Sequence, residues 1–242
     1  MIKNSLGNYQ RFNMKIKRAL ISVYDKTNLI KVLKTLKKFK INVVSSGGTY
    51  QKIKKLGFKS IEVSNLTGFP EILDGRVKTL HPKIHGGILN KRSSKIHRKN
   101  LKDNNISEID LVIVNFYPFE KTLKETKNHK KIIENIDIGG PTMVRAAAKN
   151  YNDVTVITNI NQYGELINIL HRQNGSTTLE FREKMSKEAF TMTGYYDSLI
   201  ANYFNKISKD IFPKKKLLSF NLVEKLRYGE SPHQEGSIYS KS

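Results

Sequence analysis

Cysteine and tryptophan are both absent from the 242-residue sequence. The lack of cysteine excludes disulfide bonds and thiolate zinc sites. No apolar run approaches the roughly 18–20 residues that a membrane span needs. The first 18 residues contain no acid, yet they also lack the apolar stretch of a signal peptide. We therefore expect a cytoplasmic protein in which residues 1–17 are a basic, unstructured extension and Met14 is a plausible start.

Basic residues outnumber acidic ones by 43 to 21, which gives a formal net charge of +22. Such an excess suggests a polyanionic partner: a nucleic acid, an anionic membrane or a phosphorylated ligand. However, lysine outnumbers arginine by 34 to 9, and lysine, asparagine and isoleucine share AT-rich codons. Lys34, Lys37 and Lys38 also alternate with the apolar stripe of a predicted helix. We therefore attribute most of the charge to composition on a solvated surface.

Short apolar runs alternate with segments of helical periodicity, which predicts an α/β fold with a mainly parallel sheet. The predicted strands are 19–23, 41–44, 61–63, 109–116 and 154–157. The predicted helices are 29–39, a short stretch after 46–49, 142–149, 161–172 and 178–205. Residues 64–90 mix glycine, proline, histidine and charge, which predicts a long structured loop with short helical turns. Residues 206–216 are typical of a basic linker.

The Ser46-Gly47-Gly48-Thr49 segment lies between a predicted strand and a predicted helix. Glycines there let backbone N–H groups approach an anion, and a helix N-terminus adds partial positive charge. Ser22 and Lys26 follow the first strand and should lie at the same edge of the sheet, where α/β folds bind ligands. A plain turn is the alternative for the glycines alone, but the combination indicates phosphate binding.

A second cluster of cations lies in the 64–90 loop and comprises Arg76, Lys78, Thr79, His81, Lys83 and His85. A solvated basic loop is one interpretation. The density of glycine and proline favours a fixed backbone and therefore a site. His81 and His85 have the i, i+4 spacing of a metal pair on a helix, but no third ligand is adjacent.

Asn115 and Tyr117 follow the central strand, and Asp137 precedes a Gly-Gly-Pro helix start, with Pro141 expected at the first helical position. Asp137 could simply cap that helix, and Lys149 at the other end could simply complement the helix dipole. Their occurrence beside a phosphate-type turn favours a functional role.

These segments resemble the IMP cyclohydrolase domain of the bifunctional AICAR transformylase/IMP cyclohydrolase family. The most specific match is Asp74–Lys83. The others are Ser22–Thr27, Ser46–Thr49, Thr67–Glu71, His85–Leu89, Asn115–Phe119, Glu134–Pro141 and Arg145–Asn150. The resemblance runs in order over residues 18–205 and implies a three-layer, methylglyoxal synthase-like α/β domain there. The sequence departs from the family pattern at Asn28, Met192, Gly194 and Ser231.

Leu226–Gln234 resembles the opening of the family's transformylase domain. Residues 206–242 are therefore expected to be a linker and the truncated, poorly ordered start of that domain. Arg227 and Tyr228 correspond by motif to its AICAR contacts. The cofactor 10-formyltetrahydrofolate belongs to the missing domain, so no transformylase activity is expected.

The resemblance implies ring closure of 5-formamido-1-(5-phosphoribosyl)imidazole-4-carboxamide to IMP and water, with no metal or redox cofactor. Asp137 would accept hydrogen bonds from the carboxamide, Lys149 would pair with Asp137, and Lys78 and Tyr117 are candidates for the oxyanion and proton-delivery roles. The implied ribotide contacts are Ser22, Lys26, Ser46, Gly47, Gly48, Thr49, Arg76, Thr79, Asn115, Ile138 and Gly139.

Two other functions remain open from the sequence. One is a methylglyoxal synthase-like module that binds a phosphorylated ligand without catalysis. The other is a basic nucleic-acid-binding protein, although no motif of that class is present. The expected partner is a small purine ribotide, with no specific nucleic acid and no membrane. A homodimer is possible.

Overall fold

The computed structural model describes residues 13–209, 211–231 and 233–240. The strands are β1 Met14–Lys15, β2 Arg18–Val23, β3 Asn42–Ser45, β4 Ile61–Glu62, β5 Leu111–Asn115, β6 Thr155–Ile157, β7 Ser176–Thr177, β8 Asn221–Lys225 and β9 Ser237–Ser240. The helices are α1 Leu29–Lys38, α2 Gly47–Lys55, α3 Val63–Thr67, α4 Pro82–Leu89, α5 Lys95–Asp103, α6 Phe119–Glu125, α7 His129–Glu134, α8 Gly139–Lys149, α9 Tyr163–Arg172 and α10 Leu179–Ile207. Single 3-10 turns cover Leu73–Gly75 and Ile160–Gln162.

A five-stranded parallel sheet in the order β4-β3-β2-β5-β6 forms the centre of the fold. Four consecutive residues of β5, Leu111–Val114, are buried, as expected for a strand that is covered on both faces. Helix α8 packs on β5 and β6, and α4 and α10 pack against α8. Helices α1 and α9 pack against each other, and both contribute to the same core. The predicted three-layer α/β architecture is confirmed.

The folded part begins earlier than predicted. Met14 and Lys15 form β1, which pairs with β7, and Ile16 is 1% exposed within the main core. The first strand therefore begins four residues before the predicted boundary at residue 18. One isoleucine among basic residues gave too weak a signal to mark the first core contact. The rest of the predicted extension, residues 1–12, lies outside the described residues.

Several helix boundaries also differ from the prediction. Helix α8 begins at Gly139, so Pro141 is its third residue and not its first. The loop at 64–90 contains α3 and the eight-residue α4, with Pro82 at its first turn and the His81 ring accepting from the Lys83 N–H. Helices α5, α6 and α7 were not predicted, because their lysine-rich sequences bury only Leu101, Phe119 and Ile132 respectively.

Beyond α10, the segment that was expected to be poorly ordered contains an antiparallel hairpin of β8 and β9. Every residue of the two strands is exposed. Among the described residues, no helix combines the length and the apolar character that a membrane crossing requires.

Candidate active site

A pocket of about 650 Å³ opens at the carboxyl ends of the central strands. Ser22 and Val23 from the end of β2, Ser46 after β3 and Asn115 at the end of β5 all line it. Parallel sheets bind ligands at this edge because strand ends and helix N-termini converge there. The loop before α4 and the segment before α8 form the remaining walls.

The structure brings most of the predicted site residues together in this pocket. Those that line it are Ser22, Lys26, Ser46, Gly48, Thr49, Arg76, Lys78, Thr79, Asn115, Tyr117, Asp137, Ile138 and Gly139. Gly47 is adjacent to the pocket, since a Cβ there would be 2.7 Å from the Nζ of Lys78, which lines it. Residues from five separate parts of the sequence thus form one cavity.

Lys149 is not part of the pocket. It is an exposed residue at the last position of α8, whereas Asp137 lies just before the first turn of that helix. Ten residues of helix separate Gly139 from Lys149, which corresponds to about 15 Å along the axis. The structure therefore does not bring Lys149 to Asp137 in the predicted pair. Burial raises the pKa of Asp137, and the charge of Lys78 opposes that rise.

One end of the pocket is built for an anion. Helix α2 begins there, and the hydroxyl of its N-cap residue Ser46 is buried with no hydrogen-bond partner among the described residues. Lys26 points its ammonium at the carbonyls of Val23 and Tyr24, at 3.1 and 3.0 Å. Partial burial lowers the pKa of Lys26. A helix N-terminus, a free hydroxyl and a cation together form a phosphate-type subsite.

Two predicted binding residues act mainly on the protein itself. The Thr49 hydroxyl accepts from the Val23 N–H and donates to the Val23 carbonyl, both at 3.0 Å. The Asn115 amide makes the same two-way contact with the backbone of Asp25 at 2.9 Å. These contacts fix the ends of β2, β5 and α2 relative to each other, so Thr49 and Asn115 shape the wall of the pocket.

The loop cations are paired with carboxylates that the sequence did not single out. Arg76 contacts Glu134 of α7, and the Lys78 Nζ lies 3.3 Å from Glu71 Oε1. Gly75 lies between Glu71 and Lys78 in the sequence. Its φ of +84° is one that residues other than glycine rarely adopt. The turn at Gly75 brings Glu71 and Lys78 together and aims Lys78 into the pocket.

Asp137 is the most constrained carboxyl of the site. Its Oδ1 accepts a hydrogen bond of 2.9 Å from the Gly140 N–H. Burial raises the pKa of Asp137, while the N–H groups of Gly140 and Tyr117 and the charge of Lys78 act in the opposite direction. A buried carboxylate held by backbone donors is suited to accept a proton or hydrogen bond from a ligand.

The two glycines after Asp137 are explained by close approach. A Cβ on Gly139 would lie 2.6 Å from the Thr79 Oγ1, and a Cβ on Gly140 would overlap the Asp137 carboxylate. The absence of side chains at these positions allows Thr79 and Asp137 to sit against the start of α8. Asp137 thus caps α8, the alternative that the sequence left open, and also faces the pocket.

Several residues in or beside the pocket were not predicted from the sequence. Tyr24 and Tyr117 form an edge-to-face pair at the rim, with ring centroids 5.5 Å apart. Tyr24 directly follows β2, and that position was the one available signal for it. Glu71 and Glu134 lie inside quoted motifs, but only the fold shows that their partners are Lys78 and Arg76.

The remaining predicted residues lie elsewhere. The ring of His85 is half-buried near Thr79, and burial lowers its pKa. His81 caps α4 instead of facing His85 across a metal position, and no group of three potential metal ligands occurs among the residues described. Arg227 and Tyr228 are exposed residues of the segment after β8, away from the pocket.

Comparisons with known proteins agree with this arrangement. The model of the AICARFT/IMPCHase bienzyme family matches residues 147–242, and that of the MGS-like domain matches residues 28–142. The curated bifunctional purine biosynthesis protein PurH of Clostridioides difficile (strain 630) is 50% identical over 226 residues, which is 93% of this chain and 44% of the relative. PurH of Bacillus subtilis (strain 168) is 45% identical over 227 residues, again 93% and 44%.

Among solved structures, the crystal structure of ForH is 30% identical and superposes with a TM-score of 0.69. The match covers 78% of this chain and 99% of ForH. The chain spans less than half the length of the curated relatives quoted above.

Proposed function

The chain belongs to the AICARFT/IMPCHase family of bifunctional purine biosynthesis proteins, and we propose on this basis that its pocket is an IMP cyclohydrolase site. The substrate would be 5-formamido-1-(5-phosphoribosyl)imidazole-4-carboxamide, and the products IMP and water. The proposal concerns this reaction alone, because every residue that lines the pocket lies between Ser22 and Met143.

Ring closure joins the carboxamide nitrogen to the formyl carbon of the same molecule. An amide nitrogen is a weak nucleophile, so the site must hold the two groups in contact and remove a proton from the nitrogen. The formyl oxygen gains negative charge during the attack, takes up two protons, which balance those lost by the carboxamide and formamide nitrogens, and leaves as water. The site therefore needs a phosphate anchor, a carboxamide acceptor, an oxyanion donor and an acid.

We assign each of these roles to residues that line the pocket. The phosphate would lie at the start of α2, near Ser46 and Lys26. Asp137 would accept from the carboxamide N–H. Lys78, whose charge acts on Asp137, would stabilise the developing oxyanion in a site where such donors contribute most.

Tyr117 or Lys78 would deliver a proton to the formyl oxygen as it becomes water. Tyr117 lines the pocket, and its backbone N–H opposes the rise that burial causes in the pKa of Asp137. The single observation that best supports the proposal is that Asp137, Lys78 and Tyr117 line the same pocket as the anion subsite formed by Ser46 and Lys26.

The test is ultraviolet detection of IMP formation by the chain, with Lys78→Met as the variant and Lys34→Met as the matched control. Lys34 is an exposed lysine of α1 that does not line the pocket. We expect Lys78→Met to lower kcat by about 100-fold or more, the size of losing one oxyanion donor, and Lys34→Met to leave it unchanged.

Ribotide binding without turnover by the folded wild-type chain would contradict the proposal. That outcome would instead favour the non-catalytic phosphate-binding module. Equal loss in both lysine variants would show that charge in general, and not Lys78, is responsible.

A further inference from the structure

The hydroxyl of Tyr196 lies directly behind Asp137. Tyr196 belongs to α10 and is 5% exposed. Its Oη accepts a hydrogen bond of 2.8 Å from the Asp137 backbone N–H and donates one of 3.4 Å to the Asn135 carbonyl. Both partners belong to the short segment between α7 and α8 that presents the carboxylate to the pocket. Tyr196 itself does not line the pocket.

The ring of Tyr196 packs near two aromatic rings of the segment that follows β5. Its centroid lies 5.1 Å from that of Phe116 and 6.1 Å from that of Phe119. Phe116 and Phe119 lie on either side of Tyr117, whose backbone N–H opposes the rise that burial causes in the pKa of Asp137. One side chain of α10 thus contacts both segments that lie beside Asp137.

We infer that Tyr196 is a positioning residue for ring closure: its hydroxyl fixes the Asp137 backbone so that the carboxylate meets the carboxamide of the substrate. The inference rests on the proposed function. A displacement of about 1 Å between reacting groups can lower a rate by roughly 100-fold. Residues 135–138 belong to no helix or strand, and at Asp137 the hydrogen bond from the backbone N–H to Tyr196 adds to the bond from the Gly140 N–H to the Asp137 Oδ1.

The hydroxyl is suited to a fixed structural contact because it stays protonated. Burial raises the pKa of Tyr196 to about 12. Its donor and acceptor roles are therefore constant over the pH range of an activity assay. Loss of the hydroxyl would leave the Asp137 N–H and the Asn135 carbonyl without this partner.

The test is Tyr196→Phe, which removes the hydroxyl and keeps the ring. Tyr203→Phe is the matched control, since Tyr203 is also on α10 and its ring lies 6.1 Å from Phe119. The Tyr203 hydroxyl contacts His129 Nδ1 at 2.8 Å, outside the pocket. We expect Tyr196→Phe to lower kcat about tenfold with KM and IMP affinity unchanged within twofold, and Tyr203→Phe to change none of the three.

A second measurement separates positioning from general destabilisation. Because Tyr196 is inferred to act through Asp137, adding Tyr196→Phe to Asp137→Asn should not lower kcat further. A purely structural role predicts that the two losses multiply. Unchanged kcat in Tyr196→Phe, equal losses in Tyr196→Phe and Tyr203→Phe, or multiplied losses in the double variant would each overturn the inference.

The two proposals fail in different ways. No turnover by the wild-type chain would overturn the proposed function and, with it, the role of Tyr196. Wild-type turnover combined with an unaffected Tyr196→Phe variant would overturn only the role of Tyr196.

Discussion

At the scale of single residues, one pocket brings together Asp137, Lys78 and Tyr117 and leaves Lys149 outside it. Asp137, Lys78 and Tyr117 were identified from motifs, and all three line one pocket. Lys149 was identified by the same reasoning and lies at the far end of α8. The difference arises because a resemblance assigns residue types to a site without giving their distances. Lys149 is the last of the eleven residues of α8, and the length of that helix separates it from Asp137.

The pKa of Asp137 leads to a prediction at the same scale. Burial raises this pKa above the ordinary value of 3.8. If the ionised carboxylate accepts from the carboxamide, kcat should fall on acidification through a pKa above that value. A kcat–pH profile of the wild type and of Asp137→Asn tests this, since the variant should lose the acidic limb. An unchanged limb in Asp137→Asn would assign it to another group.

The raised pKa of Asp137 also makes the stability of the fold depend on pH. Folded Asp137 holds its proton more tightly than the unfolded chain does. Its ionisation therefore lowers the free energy of unfolding as the pH rises from 3.8 through the raised pKa. The carboxylate is thus kept in the pocket at some loss of stability, as is common for functional groups.

At the scale of elements, short apolar runs were enough to predict the strands of the central sheet, and helical periodicity was enough to predict the long helix α10. Helices α5, α6 and α7 were not predicted because each buries a single residue and so has no apolar stripe in its sequence. Tertiary contacts stabilise these three helices in the fold. The early start of α8, at Gly139, was not predicted for another reason. A Gly-Gly pair is typical of a loop, and only the approach of Thr79 and Asp137 explains why it opens a helix.

The start of α8 yields a prediction with an internal control. Gly140→Ala places a methyl group against the Asp137 carboxylate and should lower kcat by roughly 100-fold through displacement of that group. Gly194→Ala on α10 adds a methyl in open space and should raise the free energy of unfolding by about 0.5–1 kcal/mol with kcat unchanged. Denaturant unfolding and the IMP assay measure both. Full activity in Gly140→Ala would contradict the packing argument.

At the scale of the whole molecule, the net charge is +22, but few of the cations that produce it line the pocket. Lys26, Arg76 and Lys78 line the pocket, whereas Lys34, Lys37 and Lys38 are exposed on α1. The composition suggested a polyanionic partner, although most of the charge was attributed to a solvated surface. The position of these three cations in one pocket favours a small phosphorylated ligand.

This distribution predicts that the triple variant Lys34→Gln, Lys37→Gln, Lys38→Gln retains wild-type kcat and KM for the formamido ribotide. The three side chains lie outside the pocket, and surface charges beyond about 10 Å are screened at 0.1 M salt. Steady-state kinetics at that ionic strength provide the measurement. A rise in KM of tenfold or more would return a functional role to the charge of α1.

The most direct test of the whole account is the conversion of the formamido ribotide by the intact 242-residue chain, followed by ultraviolet absorbance with IMP identified as the product. We predict turnover by the wild type and by Lys34→Met, and a loss of about 100-fold or more in Lys78→Met. A folded wild-type chain that binds the ribotide but releases no IMP would contradict the account.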